Sequence, residues 1–378
     1  MGTYVLADNI ISPLGNTTRE NFEALLHGKS GVKEVNSDAL YPHPVFTSIF
    51  DQEQLLQYTG FLAEEPYTTL EKLFIASIKS VLDQVGTINP ERTLLVVATT
   101  KGNVDLLAEN ATATIQSERA EIPAMTKAIA DYFNLPHYIT VSNACISGLS
   151  AILTARNLME SGKYDQAIVT GGDRVSEFII SGFDSFKAIA DGYCKPYDKN
   201  RTGINLGEGC GTLFLSKSKP ENRGLEVLAG AQSNDANHIS GPSRTGKGLA
   251  LAINKSIQQA GIQAKDIDLI NAHGTATLYN DEMESIAMET LGLLACPLNS
   301  FKGYFGHTLG ASGIIESILC MAELEQGMIV KSKGFEEQGT TRALNVAVEN
   351  RKLDHPTIAL KTISGFGGSN AAVLFKQS

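Results

Sequence analysis

Five short runs of apolar and β-branched residues recur along the chain: TYVLA at its start, TLLVVATT at 93–100, YITVSNA at 138–144, QAIVTGG at 166–172 and IDLINAH at 267–273. Runs of this kind read as buried strands, and most are followed by a longer helical pattern. Strand–helix–strand repetition implies parallel sheets covered by helices on their faces, so the expected class is α/β. The stretch from Ile146 to Gly162 shows the helical half of the pattern: Leu149, Ile152, Leu153 and Ala155 fall at helical spacing, and Gly162 supplies a C-terminal stop. At 378 residues the chain has room for about 2.5 domains of a nominal ~150 residues. A faint echo links NACISGLSAILTARNLMESG with FGHTLGASGIIESILCMAELEQG, each a sharp turn from strand into a helix of small residues. The polar stretch SKSKPENRG at 216–224 is the expected link, which divides the chain into halves 1–215 and 216–378.

The formal net charge of -10 opposes general affinity for nucleic acid or an anionic membrane, both of which require a basic surface. Five cysteines without paired spacing argue against a disulfide framework and for a reducing cytoplasm. The opening MGTYVLADN lacks a basic flank, and no apolar run approaches the ~20 residues that span a bilayer, so neither secretion nor membrane insertion is expected. GPSRTGKG at 241–248 nearly spells a phosphate-binding loop. Gly248 stands where Ser or Thr would ligate magnesium, and the polar AQSNDANHIS before it is a poor buried strand, so it reads as a surface turn into a helix.

Four segments carry chemistry. In TVSNACISGLSAI, Cys145 sits between a strand and a helix of small residues, where backbone N–H groups and the helix dipole favour a thiolate nucleophile. In NAHGTATLYNDEMES, His273 ends a strand. In FKGYFGHTLGASG, Gly306 and Gly310 bracket His307 ahead of another small-residue helix. A single histidine so placed is more often a hydrogen-bonded core residue, but two of them beside a similarly placed cysteine point to catalysis. KTISGFGGSNAAVLF reads as strand, glycine turn and strand, in which Gly365, Gly367 and Gly368 allow a backbone N–H to face a site.

In this order the four segments resemble the β-ketoacyl synthase family, matching it at Cys145, His273-Gly274-Thr275, Lys302 with Gly306-His307, and Gly365-Phe366-Gly367-Gly368. Similarity also runs through KPYDKNRTGINLGEGCG at 195–211 and the opening segment, so the resemblance covers nearly the whole chain. It implies the thiolase-like fold, two similar halves forming a five-layer αβαβα sandwich, and a decarboxylating condensation without cofactor or metal. Cys145 would take an acyl group from a carrier protein, with the N–H groups of Cys145 and Phe366 holding the oxyanion. His273 and His307 would act on the malonyl thioester delivered by the same class of carrier. Lys302 and Glu284 would support the histidines, and Phe366, flanked by Gly365 and Gly367, would gate acyl access. A homodimer is implied, with a heterodimer with a related subunit as the alternative.

The chain departs from the family pattern where Ser364 replaces a phenylalanine, Phe301 a threonine and Gly303 a serine. EEPYTTLEKLF also thins the usual basic docking surface, leaving Lys72 and Lys187 as candidates for carrier contact. A thiolase would need a second cysteine in the last glycine loop, and an initiating condensing enzyme an asparagine in place of His307. A non-catalytic partner subunit would lack the nucleophile that Cys145 supplies.

Overall fold

The computed structural model describes residues 2–38, 40–107, 115, 117–220, 223–237 and 241–377. Ten strands form one large sheet, numbered in chain order β1 (Tyr4–Ile11), β2 (Thr93–Ala98), β3 (Tyr138–Val141), β4 (Gln166–Asp173), β5 (Gly209–Ser216), β6 (Leu225–Asn234), β7 (Leu269–Asn271), β8 (Leu298–Asn299), β9 (Ile358–Gly365) and β10 (Ser369–Gln377). Their spatial order is β8-β7-β9-β10-β6-β1-β5-β4-β2-β3. Two smaller sheets lie outside it.

The large sheet is a duplicated unit. Read outward from its middle, the first half runs β1-β5-β4-β2-β3 and the second β6-β10-β9-β7-β8, so each strand of one half has its counterpart five strands later. Directions repeat as well: β2 lies parallel to β3 and β4, and β7 parallel to β8 and β9. β5 runs antiparallel to β1 and β4, and β10 antiparallel to β6 and β9. Ladder pairing joins the halves at one position, Tyr4 opposite Glu226.

Six helices build the layers: α1 (Thr69–Val85), α2 (Ile122–Tyr132), α3 (Ser147–Glu160), α4 (Lys247–Ala260), α5 (Leu278–Thr290) and α6 (Ser312–Gln326). α1 covers β1, β4 and β5 from outside, with α2 beside it, and α4 covers β6 and β10 with α5 beside it. α3 and α6 contact each other and strands of both halves, which makes them the middle layer of αβαβα. A helix buried all round must be apolar or small on every face. Every residue of α6 from Ser312 to Leu324 is buried, including Glu316 and Glu323. α3 and α6 also cross with their backbones touching, because a Cβ on Gly148 would lie 2.8 Å from Gly310 O, Gly313 Cα and Ile314 N.

Most of the expected strands form, and β2 is buried throughout. The segment at 138–144 departs from its reading as a buried strand: β3 stops at Val141, lies at the edge of the sheet, and leaves Tyr138 exposed and the next three residues half-buried. A four-residue apolar run looks the same whether neighbours flank it on one side or two. β6 also runs through Gln232 and Ser233 to Asn234, although that segment reads as too polar for a strand; its burial alternates toward its end, as a half-covered strand allows. GPSRTGKG leads into α4, which begins at Lys247. No helix among the described residues is long and apolar enough to cross a membrane.

Candidate active site

The site lies where the C-terminal ends of parallel strands from both halves converge on the middle helices. Cys145 follows β3 by four residues and precedes α3, His273 follows β7, and His307 precedes α6. The Cys145 sulfur and one ring nitrogen of each histidine all lie within 4.8 Å of one another. The imidazoles meet edge to face, with centroids 5.2 Å apart. The segments carrying the three residues hold unusual backbone: Ala144, Ala276 and Leu309 adopt positive φ values of 45°, 57° and 52°. Left-handed non-glycine residues are strained, and a packed surround has to hold them there. Gly306, at φ 66°, carries no such strain, and a Cβ there would sit 2.5 Å from the Leu206 carbonyl oxygen.

Each group has a distinct local support. The N–H groups of Phe366 and of Cys145 itself lie against the sulfur and favour its anion, as does the positive charge of Lys302. Gly365 packs on the nucleophile so closely that a Cβ would come 3.2 Å from Cys145 N. The helix-terminus argument predicts an acidified thiol, but burial dominates and pushes Cys145 up to about 11. Cys145 therefore rests as the thiol, and the acidifying groups act against a larger desolvation cost.

His307 engages Ser312 Oγ through Nδ1 at 2.9 Å, leaving Nε2 buried and without a hydrogen-bond partner among the described residues. Burial, then Lys302, His307 and Lys361, hold His273 well below the usual histidine range. Burial, Lys302 and Lys361 do the same to His307. Both rings are neutral at physiological pH.

Glu284 is no solvated helix-face carboxylate. It is fully buried, and its oxygens accept from His273 N and Gly274 N, each at 2.8 Å, and from Tyr197 Oη and Asn280 Nδ2, each at 2.9 Å. It fixes the backbone of the turn that aims His273. Lys302 has a different partner: its ammonium bonds Glu316 Oε1 on α6. Glu316 was not singled out from sequence, although it follows His307 by nine residues in FGHTLGASGIIESILC, because it sits among Ser, Ile and Leu in what reads as a core helix.

A cavity of about 450 Å³ opens above the three residues, and its lining includes Ser364, Gly365, Phe366, Thr202, Ile204 and Leu278. Phe366 stands against Phe183 and Phe186, with centroids 5.5 and 5.3 Å away, so the expected gate is one ring of an aromatic cluster. Gly367 is exposed at the tip of the β9–β10 turn with φ 83°. Phe183 and Phe186 gave no sequence signal beyond two aromatics in FDSF, and Phe186 is 51% exposed. Among the described residues the lining includes no carboxylate that would cage a hard cation.

The departures from the family pattern have local explanations. Ser364 lines the cavity and donates to Asn370 Oδ1 at 2.8 Å, which leaves open the space a large ring would take. Phe301 is fully buried in the core. Gly303 is dictated by contact, since a Cβ there would meet the Lys333 carbonyl oxygen at 2.4 Å. Lys187 lines the cavity mouth, whereas the Lys72 ammonium bonds the Ala63 carbonyl away from it.

Comparison with known proteins settles the family. "Beta-ketoacyl synthase, N-terminal domain" matches residues 4–221 and "Beta-ketoacyl synthase, C-terminal domain" residues 225–336. The chain belongs to the β-ketoacyl synthase family. Among relatives of this synthase, 3-oxoacyl-[acyl-carrier-protein] synthase 2 of Vibrio cholerae is 27% identical over 404 residues, covering 97% of each chain. Nodulation protein E of Rhizobium meliloti is 29% identical over 246 residues, which is 63% of this chain and 61% of that one. Among solved structures, a ketosynthase of Xenorhabdus doucetiae in complex with its chain length factor superposes with a TM-score of 0.90 at 26% identity, covering 100% of this synthase and 98% of that chain. The thiolase-like fold is thereby shown, in agreement with the repeated topology.

Proposed function

We propose that this synthase catalyses decarboxylative Claisen condensation between an acyl group held on Cys145 and a malonyl thioester on an acyl carrier protein. The observation that carries the reading is the meeting of a buried thiol, two neutral imidazoles and two backbone N–H donors on the floor of one cavity. Residues 1–215 supply the nucleophile, and residues 216–378 supply the histidines, Lys302 and the Gly365–Gly368 turn.

The Cys145 sulfur attacks the incoming thioester carbonyl and gives up its proton, and the N–H groups of Cys145 and Phe366 hold the oxyanion until the carrier thiol leaves. Transfer of the thiol proton to a neutral ring nitrogen, which passes it on to the departing carrier sulfur, offsets the high resting value of the buried cysteine. The carrier's malonyl thioester then occupies the emptied position. Its thioester oxygen accepts hydrogen bonds from His273 and His307, carbon dioxide departs, and the electrons of the broken bond collect on the enolate. The enolate carbon attacks the acyl-Cys145 carbonyl, the C–S bond breaks, and the departing thiolate takes up a proton from solvent, which regenerates the thiol beside a β-ketoacyl product two carbons longer.

The partner is an acyl carrier protein, met at the cavity mouth beside Lys187. The synthase works as a homodimer or beside a related subunit, in a cytoplasm that keeps its five free cysteines reduced. A second reading, a non-catalytic partner subunit, is favoured by the complex that the Xenorhabdus doucetiae ketosynthase forms with its chain length factor. Retention of the complete Cys145–His273–His307 group weighs against it.

Intact-mass spectrometry after mixing with a panel of acyl-loaded carrier proteins tests the proposal. The expected result is an acyl-sized gain on the wild type that is absent from Cys145→Ala. A wild-type chain that takes no acyl group, alone or with a related subunit, overturns the condensing reading and leaves the partner-subunit reading.

A further inference from the structure

Lys361 plays no part in the steps above, yet it lies fully buried at the centre of the site's support. It is the fourth residue of β9, opposite Asn271 of β7 and Val373 of β10. β7 reaches His273 two residues beyond Asn271, and β9 reaches Phe366 five residues beyond Lys361. The lysine therefore sits on the strand that delivers one oxyanion donor and beside the strand that delivers one histidine. Its ammonium lies 2.6 Å from Glu316 Oε2 and donates to the Thr362 carbonyl at 2.8 Å. Glu316 Oε1 takes the Lys302 ammonium. One carboxylate thus serves two wholly buried lysines.

Burying a cation that an existing ion pair does not need is costly, and an aliphatic side chain at 361 would fill the strand position without that cost. Burial pushes the Glu316 carboxyl upward, but the two ammonium groups outweigh it and hold it below the usual range, so the cluster carries an anion between two cations. The other ionisable groups around the cluster and the histidines include Cys145, Asp173, Cys194, Tyr197, Arg201, Asp281, Glu284, Cys320 and Glu323. Of these, Glu284 is committed to the His273–Gly274 backbone and Tyr197, and Asp173 to the 99–101 turn and Gly310 N. Burial raises Glu323 to about 8 and Asp281 to about 7, which weakens both as counter-charges.

We propose that Lys361 is a positioning residue of this site: with Lys302 it clamps Glu316 from both sides, and the surplus positive charge of the cluster biases the protonation of His273 and His307 and steadies the anions formed beside them. The proposal rests on the reading of the site as a condensing centre. Both histidines feel Lys302 and Lys361, so the two lysines act on the reacting groups without touching substrate. Charge, not shape alone, is what Lys361 contributes.

The test is histidine ¹³Cε1 NMR of the full-length protein from about pH 8, above the titration of an ordinary imidazole, down to the lowest pH at which it stays folded, because both imidazoles are held well below the usual range. Wild type, Lys361→Met and the double variant Lys361→Met with Glu316→Gln are compared. In Lys361→Met the cluster loses its surplus charge, and the pH at which the buried histidine signals begin to shift rises by about half a unit or more, an about threefold larger protonation constant. The double variant restores a single net positive charge on Lys302, and the signals return toward the wild-type position. The acid limb of the condensation rate moves with the signals in each protein. Should Lys361→Met fail to fold, Lys361→Gln, which keeps a donor for Glu316 and removes only the charge, carries the same comparison.

Histidine signals that stay in place in folded Lys361→Met or Lys361→Gln overturn the proposal. So does a shift that the double variant does not reverse, because that would mark a packing effect. Acyl uptake by Cys145 in the same preparations separates the two readings. Wild type without uptake removes the condensing function, whereas normal uptake with unmoved histidines removes only the role of Lys361.

Discussion

The two halves of the synthase share one topology, strand for strand and helix for helix, but they put different chemistry at equivalent places. In the first half the third strand turns into a middle-layer helix at Cys145, and in the second half the third strand leads through Lys302 and His307 into the other middle-layer helix. The second strand of the first half ends at Thr99 and Thr100, which bind the buried Asp173, while the second strand of the second half ends at His273. The first half thus contributes a nucleophile in a largely apolar setting. The second contributes both imidazoles and the buried Lys302–Glu316–Lys361 cluster behind them. A duplicated scaffold brings two strand-to-helix turns face to face, and divergence at those turns divides nucleophile from proton and charge handling.

The sharpest way to break this division is to remove the second half's contribution alone. In His307→Ala and His273→Ala, condensation falls by about 10²–10⁴-fold, the range for a lost acid–base or hydrogen-bonding group, while Cys145 still accepts an acyl group. Steady-state condensation and intact mass on the same samples check both parts. Acyl uptake that falls as far as condensation in both variants would mean that neither imidazole alone can take the Cys145 proton, and would dissolve the distinction between the halves.

The contact between the halves gives the next effect. Gly148→Val places methyl groups against the backbone of Gly310, Gly313 and Ile314, all within 2.8 Å of the Cβ position. Overpacking against backbone has little room to relax, so the variant loses about 2–3 kcal/mol, read as a lower urea midpoint. Gly162→Ala, just beyond the opposite end of the same helix, has φ 85° and nothing within 4 Å of its Cβ, so it shows the cost of backbone strain without overpacking.

The remaining effect is a slope with pH rather than a single loss, and it concerns a carboxyl of the second half that the site does not use. Burial raises Glu323 to about 8, opposed by hydrogen bonds from Val330 N and Asn299 Nδ2. Its folded value exceeds its unfolded one, so the folded state holds a proton that the unfolded state has already released. That stability is fully present below the unfolded carboxylate value and is lost as pH rises toward 8, at up to roughly 1.4 kcal/mol per pH unit. Glu323→Gln removes this slope. Denaturation at several pH values between 5 and 8 is expected to show the variant gaining on the wild type as pH rises, and a constant difference would mean that Glu323 is ionised throughout.

Much of the site was legible because its chemistry is local in sequence. Cys145, His273, His307 and Phe366 each sit in a short strand–turn segment flanked by glycine or small residues, and those turns require such residues whatever lies around them. The partners that tune them were not legible. Glu316 and Lys361 lie on a helix and a strand whose other residues are core, separated from Lys302 by 14 and 59 positions, and no spacing rule links them. Glu284 was identified as a support for the histidines, but the backbone groups through which it acts were not, because a carboxylate on a helix looks the same from sequence whether water or a backbone turn faces it. The edge position of β3 escaped for a similar reason, since lateral neighbours are a property of the assembled sheet.

Sequence by itself determined the α/β class and the strand-to-helix turns and pointed to the candidate reacting groups, since periodicity, glycine placement and reactive side chains act over a few residues. Tertiary structure alone decided which charges meet, which carboxylate serves which lysine, and that the cysteine rests as a thiol. Ionisation and pairing depend on desolvation and on distances between segments far apart in the chain, and those exist only once the two halves have packed around α3 and α6.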